Sequence, residues 1–182
     1  LDLPCRVLIE GPPGSGKTML VKMLANVWGR EESCRVICKD KRCIHVIFKL
    51  VVLLNPSDFQ GCNSLAAVIQ KSLNKDLELE TIEDALIALK DSTLYIVDNV
   101  DDVEQIKNPL LLSLVEGKAK VSRNATVIVT SRPRSSFKKP FGENFTIQEF
   151  NSEQKDKYIR KFSNETGLTE KSIRESLEKS GE

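Results

Sequence analysis

Residues Gly11, Pro12, Pro13, Gly14, Ser15, Gly16, Lys17 and Thr18 fit the spacing G-x-x-x-x-G-K-[ST]. Glycines in such a run let successive amide N–H groups turn inward with no Cβ in the way. A helix opening at Lys17 then adds its positive end to the same point. The chemistry this suits is the binding of a phosphate chain. Lys17 is placed to reach the β and γ phosphates of a nucleotide, and the Thr18 hydroxyl to ligate Mg²⁺. The competing reading is a Gly-rich turn beside a solvated lysine.

Two more stretches carry unusual residues. In "LYIVDNVDD", Asp98 ends an apolar run, and a carboxylate at that position can hold Mg²⁺ directly or through water. Asp101 and Asp102 follow within a few residues, and carboxylates so crowded repel one another unless a cation is near. Either of this pair is expected to orient or polarise an attacking water. In "VIVTSRP", Arg132 follows a buried run and is held extended by Pro133, so its guanidinium can read a terminal phosphate bidentately.

These groups converge only if the chain lays several strands side by side. "RVLIE", "HVIFKLVVLL", "TLYIVD" and "ATVIVTS" are nearly continuous apolar runs, while "NFTIQEF" alternates. Between them lie residues at helical spacing, such as Leu20, Val21, Leu24, Val27 and Trp28. Asn63 is the expected cap of a helix bearing Leu65 and Val68, and Thr81 with Asp84 frames another. Asn108 before Pro109 caps "LLLSLVEG", and Asn151 with Gln154 opens a helix bearing Tyr158 and Phe162. Buried strands alternating with amphipathic helices imply right-handed crossovers and a doubly wound parallel α/β sheet. Ligands of such sheets sit beyond the carboxyl ends of the strands, which is where Gly11, Asp98 and Arg132 fall.

Composition sets bounds on partners. At 182 residues and 40% hydrophobic content the chain can bury one sizeable core. Lys plus Arg number 27 against 26 Asp plus Glu, a formal charge of +1, which supplies no global attraction to nucleic acid or acidic lipid. The basic stretches "CKDKR", "GKAKVSR" and "FKKP" are scattered and lack stacking aromatics, so no nucleic-acid partner is expected. The apolar run from Val46 to Leu54 is interrupted by Lys49 and is about half of the roughly 18 residues a membrane span needs. No membrane partner is expected either. Five cysteines, with no signal peptide, read as reduced thiols of a cytoplasmic protein. Cys34, Cys38, Cys43 and His45 lack the paired spacing of a zinc site. The chain starts almost at its first strand and stops inside a charged helical pattern, and is expected to be a piece of a longer protein.

Taken in order, GPPGSGKT, DNVDD, TSRP and "FTIQEFNSEQKDKYIRKFS" resemble the NACHT class of signal-transduction P-loop NTPases, to which the NLR innate-immune receptors belong. The resemblance implies a three-layer αβα domain with a five-stranded parallel sheet over residues 1–166. Residues 167–182 would then open a further helical domain. It also implies an ATP/ADP switch with slow Mg²⁺-dependent hydrolysis that sets self-assembly, with Arg132 as its sensor arginine. The chain departs from the family's acidic motif at two points. Asn99 stands at the position of a small residue, and Asp102 stands where a Glu is usual. The alternatives are a small-molecule phosphotransferase and a hydrolysis-dead ADP-binding scaffold.

Overall fold

The computed structural model describes residues 5–29, 34–37, 43–46, 48–73, 77–100, 108–133 and 141–179. It divides into two compact units, residues 1–147 and 148–182.

The first unit is built on a five-stranded sheet. Its strands are β1 (Arg6–Glu10), β4 (Leu50–Leu54), β5 (Thr93–Val97), β6 (Thr126–Ser131) and β7 (Glu143–Thr146), in the order β4-β5-β6-β1-β7. Every neighbouring pair is parallel. Helices α1 (Lys17–Gly29), α2 (Leu65–Leu73), α3 (Leu79–Ala88) and α4 (Pro109–Glu116) lie in the connections. Successive side chains of a strand point to opposite faces, and the core splits accordingly. Leu8, Tyr95, Val97 and Val129 pack with Val68, Leu86 and Leu111 from α2, α3 and α4. Ile9, Leu94, Ile96 and Ile128 pack instead with Val21 and Trp28 of α1 and with Phe48. The sheet is therefore covered on both sides, which is the doubly wound three-layer arrangement expected. Leu94 and Ile96 have no exposed surface, and burial of each stabilises the unit by roughly 2 kcal/mol.

The run "HVIFKLVVLL" does not form one strand. Its first part enters β3 (Cys43–Val46), which pairs antiparallel with β2 (Cys34–Ile37) in a separate two-stranded sheet, and only Leu50–Leu54 joins the main sheet. The break falls at Lys49, whose N–H donates to Ser92 O at 2.9 Å just ahead of β5. Two helix starts also differ from expectation. Ser64, not Asn63, caps α2, its hydroxyl accepting from the Ala67 N–H at 3.2 Å. Helix α3 starts at Leu79 after Glu78, so Thr81 lies inside the helix and no box forms with Asp84. Asn108 caps α4 as expected, accepting from the N–H groups of Leu110 and Leu111.

The second unit contains α5 (Ser152–Thr166) and α6 (Glu170–Lys179). Asn151 and Gln154 form the expected reciprocal capping box on α5. The two helices are joined by Arg174 Nη2 donating to Asp156 Oδ1 at 2.7 Å.

Among the described residues no helix is long and apolar enough to cross a membrane.

Candidate functional site

The parallel register brings the ends of three strands together. Glu10 stands beside Ser131, and Val97 beside Val129, so the segments leaving β1, β5 and β6 emerge at one edge of the sheet. The loop that follows β1 begins there. Gly11 N–H donates to Ser131 O at 3.2 Å, and Ser15 N–H donates back to Pro12 O at 3.2 Å, which closes the turn. Gly14 and Gly16 have φ of 76° and 89°, a region that costs a Cβ-bearing residue but not glycine. The loop feeds directly into α1.

Lys17 is the first residue of that helix and is buried, at 6% exposure. Its ammonium donates to Gly11 O at 2.7 Å and to Pro12 O at 2.9 Å, so the charge is carried inside the loop rather than out in solvent. A solvated lysine beside a turn, the competing reading of this stretch, does not have that geometry. The Ser15 hydroxyl is also buried and has no hydrogen-bond partner among the described residues.

Asp98 follows β5 and is buried, at 3% exposure. Its N–H donates to Leu54 O at 2.9 Å, extending the ladder to β4 by one residue. Thr130 Oγ1 donates to Asp98 Oδ1, and Asn99 Nδ2 approaches Asp98 Oδ2 at 3.4 Å. The same Thr130 oxygen accepts from the Asn99 N–H at 2.8 Å, and Val100 N–H donates to Thr130 O at 2.9 Å. Ser131 Oγ completes the seam by donating to Val100 O at 3.0 Å. The ends of β5 and β6 are thus laced together by side chains that alternate with the backbone.

A pocket of about 350 Å³ opens over this edge, lined by Pro13, Gly14, Gly16, Lys17, Thr18, Met19, Asn99 and Arg132. The structure brings Lys17, Thr18 and Arg132 to one cavity, while Asp98 is buried and is not on its lining, though its neighbour Asn99 is. Asp101 and Asp102 lie outside the described residues. Asn99 is a pocket residue that reading for catalytic types passes over, because an uncharged carboxamide in a turn carries no signature of its own. Its departure from the small residue usual at that position was the available signal.

The residues fit a phosphate chain. Backbone flanked by glycines faces the cavity, one cation is already held by loop carbonyls, and a second stands on the lining. They fit Mg²⁺ in a narrower sense. No group of three or more His, Cys, Asp or Glu able to hold a metal occurs among the described residues. Mg²⁺ in nucleotide sites is held by one or two protein oxygens together with phosphate and water, and Asp98 with Thr18 supply a set of that size.

The NACHT domain family model matches residues 5–166, which includes the loop, the β5 and β6 ends and helix α5. The chain belongs to the NACHT family. Among solved structures, this NACHT domain is similar to a Walker-type ATPase of Pyrococcus abyssi, with 13% identity and a TM-score of 0.53 over 97% of this chain and 58% of that one. It is similar also to a DNA replication initiation factor, at 17% identity and a TM-score of 0.52, covering 92% of this chain and 47% of the other. A third is the Drosophila ORC bound to DNA, at 14% identity and a TM-score of 0.50, covering 84% and 38% respectively. At these identities the likeness is one of fold, that of the P-loop NTPases. The NACHT domain spans between 38% and 58% of the length of these three chains. No curated protein matches the sequence. Fold, family and loop together make this a nucleotide-binding P-loop domain.

Proposed function

We propose that this NACHT domain is an ATP/ADP-binding molecular switch of a cytoplasmic protein, with slow Mg²⁺-dependent hydrolysis of the triphosphate, and that the bound nucleotide governs self-assembly in signalling. The observation that carries the proposal is the gathering of Lys17, Thr18 and Arg132 on one pocket, whose lining residue Asn99 follows the buried Asp98. Family membership supports the switch. We assign the nucleotide-binding part to residues 1–166 and treat 167–182 as the start of a further helical segment.

Each residue has a definite task in this scheme. The loop from Gly11 to Gly16 offers backbone N–H groups to the phosphates. Lys17 exchanges the Gly11 and Pro12 carbonyls for phosphate oxygens, which are better acceptors for an ammonium because they are charged. Thr18 and Asp98 hold Mg²⁺, with Asp98 reaching it directly or through water. When bound, the ion offsets negative charge on the phosphate oxygens. Asp101 or Asp102 orients the attacking water, and an aspartate in place of the usual glutamate at 102 shortens that reach and slows the reaction. Arg132 reads the terminal phosphate.

Phosphate release from ATP by the purified chain tests the scheme. The expected result is slow release that requires Mg²⁺, needs no acceptor, and drops to background in Asp98→Asn. Transfer that proceeds only with a small-molecule acceptor would make the protein a phosphotransferase. Tight ADP retention with background release in wild type and in Asp102→Ala alike would make it a scaffold.

A further inference from the structure

Asn99 keeps a side chain where glycine would be the least strained choice. Its φ is 62°, and it is the one non-glycine residue in the left-handed region among the described residues. The backbone around it is pinned. Asp98 N–H donates to Leu54 O, Asn99 N–H to Thr130 Oγ1 and Val100 N–H to Thr130 O. With the main chain held this way, the side chain is exposed and lines the pocket together with Lys17, Thr18 and Arg132. Its side-chain bond to a described residue, Nδ2 to Asp98 Oδ2, is long at 3.4 Å, at the outer limit of a hydrogen bond and so readily exchanged for a better acceptor.

We propose that Asn99 is a specificity-determining residue of the nucleotide site, its carboxamide donating to the terminal phosphate of a nucleoside triphosphate and so favouring triphosphate over diphosphate. The inference rests on the proposed nucleotide-binding role of the pocket. The chemistry favours an amide at this position. Its Nδ2 now faces the Asp98 carboxylate, and a neutral donor can turn one N–H toward a phosphate oxygen without adding a second negative charge beside that carboxylate. A hydrogen bond to a charged acceptor exists only when the terminal phosphate is present, so it separates the two nucleotides rather than strengthening both.

The test compares wild type, Asn99→Gly and Asn99→Asp by calorimetric titration with Mg²⁺ plus either a non-hydrolysable ATP analogue or ADP. Glycine accepts a φ of 62° without strain, so Asn99→Gly removes the carboxamide and leaves the turn, and thermal unfolding checks that both variants remain folded. The expected result for Asn99→Gly is a loss of about tenfold in affinity for the triphosphate with ADP affinity unchanged. Asn99→Asp, which adds a negative charge, should lose more triphosphate affinity than Asn99→Gly. An unaltered ratio of triphosphate to diphosphate affinity in both variants, or equal losses for the two nucleotides, overturns the assignment of Asn99 alone. Failure of the wild type to bind either nucleotide overturns the pocket itself and this inference with it.

Discussion

Thr130 Oγ1 donates to the Asp98 carboxylate while accepting from the Asn99 N–H at 2.8 Å, so a single hydroxyl ties the end of β6 to the acidic segment leaving β5. Thr130 is itself fully buried. Thr130→Val keeps the shape and removes the hydroxyl, which leaves a buried carboxylate oxygen without its donor. We expect a loss of about 2 kcal/mol in urea unfolding. Thr130→Ser, which restores the hydroxyl, should recover most of it. A loss equal in both variants would place the effect in packing instead.

Arg132 stands just beyond β6 on the lining of the pocket. If it reads the terminal phosphate, Arg132→Ala weakens ATP more than ADP, by roughly tenfold in the ratio of affinities. Arg132→Lys keeps the charge but not the planar fork and should fall between the two. Competition binding with both nucleotides measures this, and an equal loss for ATP and ADP removes the role.

Tyr95 lies in the middle of β5 with no exposed surface, and its hydroxyl has no partner among the described residues. Burial pushes its phenol up to about 12. The unfolded phenol titrates near 10, so the folded state holds the proton more tightly, and stability is full below pH 10 and falls between about pH 10 and 12. Tyr95→Phe should be as stable as wild type at pH 8, because no hydrogen bond is lost. It should also lack this part of the alkaline decline, so the stability difference between the two proteins widens above pH 10. Parallel decline from pH 8 to 11 in denaturant unfolding would contradict the burial argument.

Much of this was legible in the residues. Glycines at 14 and 16 announce positive φ through the spacing of their loop, and Asp98 and Arg132 reach the same sheet edge because parallel strands all end on one side. The Asn108 and Asn151 caps were legible because each is followed by a second signal, Pro109 and Gln154. A pair was not always enough, since Thr81 and Asp84 also read as a frame and both lie inside α3. Single signals misled as well. Asn63 and Ser64 are both cap formers, and only the geometry of the turn selects Ser64. The run before Leu54 is apolar apart from His45 and Lys49, so no period marks the point where β3 ends and β4 begins, and a single lysine was too weak a signal to divide it. Asn99 escaped because its place on the pocket depends on a backbone angle and on a neighbour 31 residues away.

The central claim is that the loop from Gly11 to Thr18 grips the phosphates of a nucleotide with Lys17 as the principal charge. Calorimetric titration of wild type and Lys17→Ala with Mg²⁺ and ATP tests it most directly. The account predicts binding at one site per chain in the wild type and none detectable in Lys17→Ala, with both proteins folded by circular dichroism. Equal affinity in the two proteins, or no heat of binding in the wild type, would contradict it.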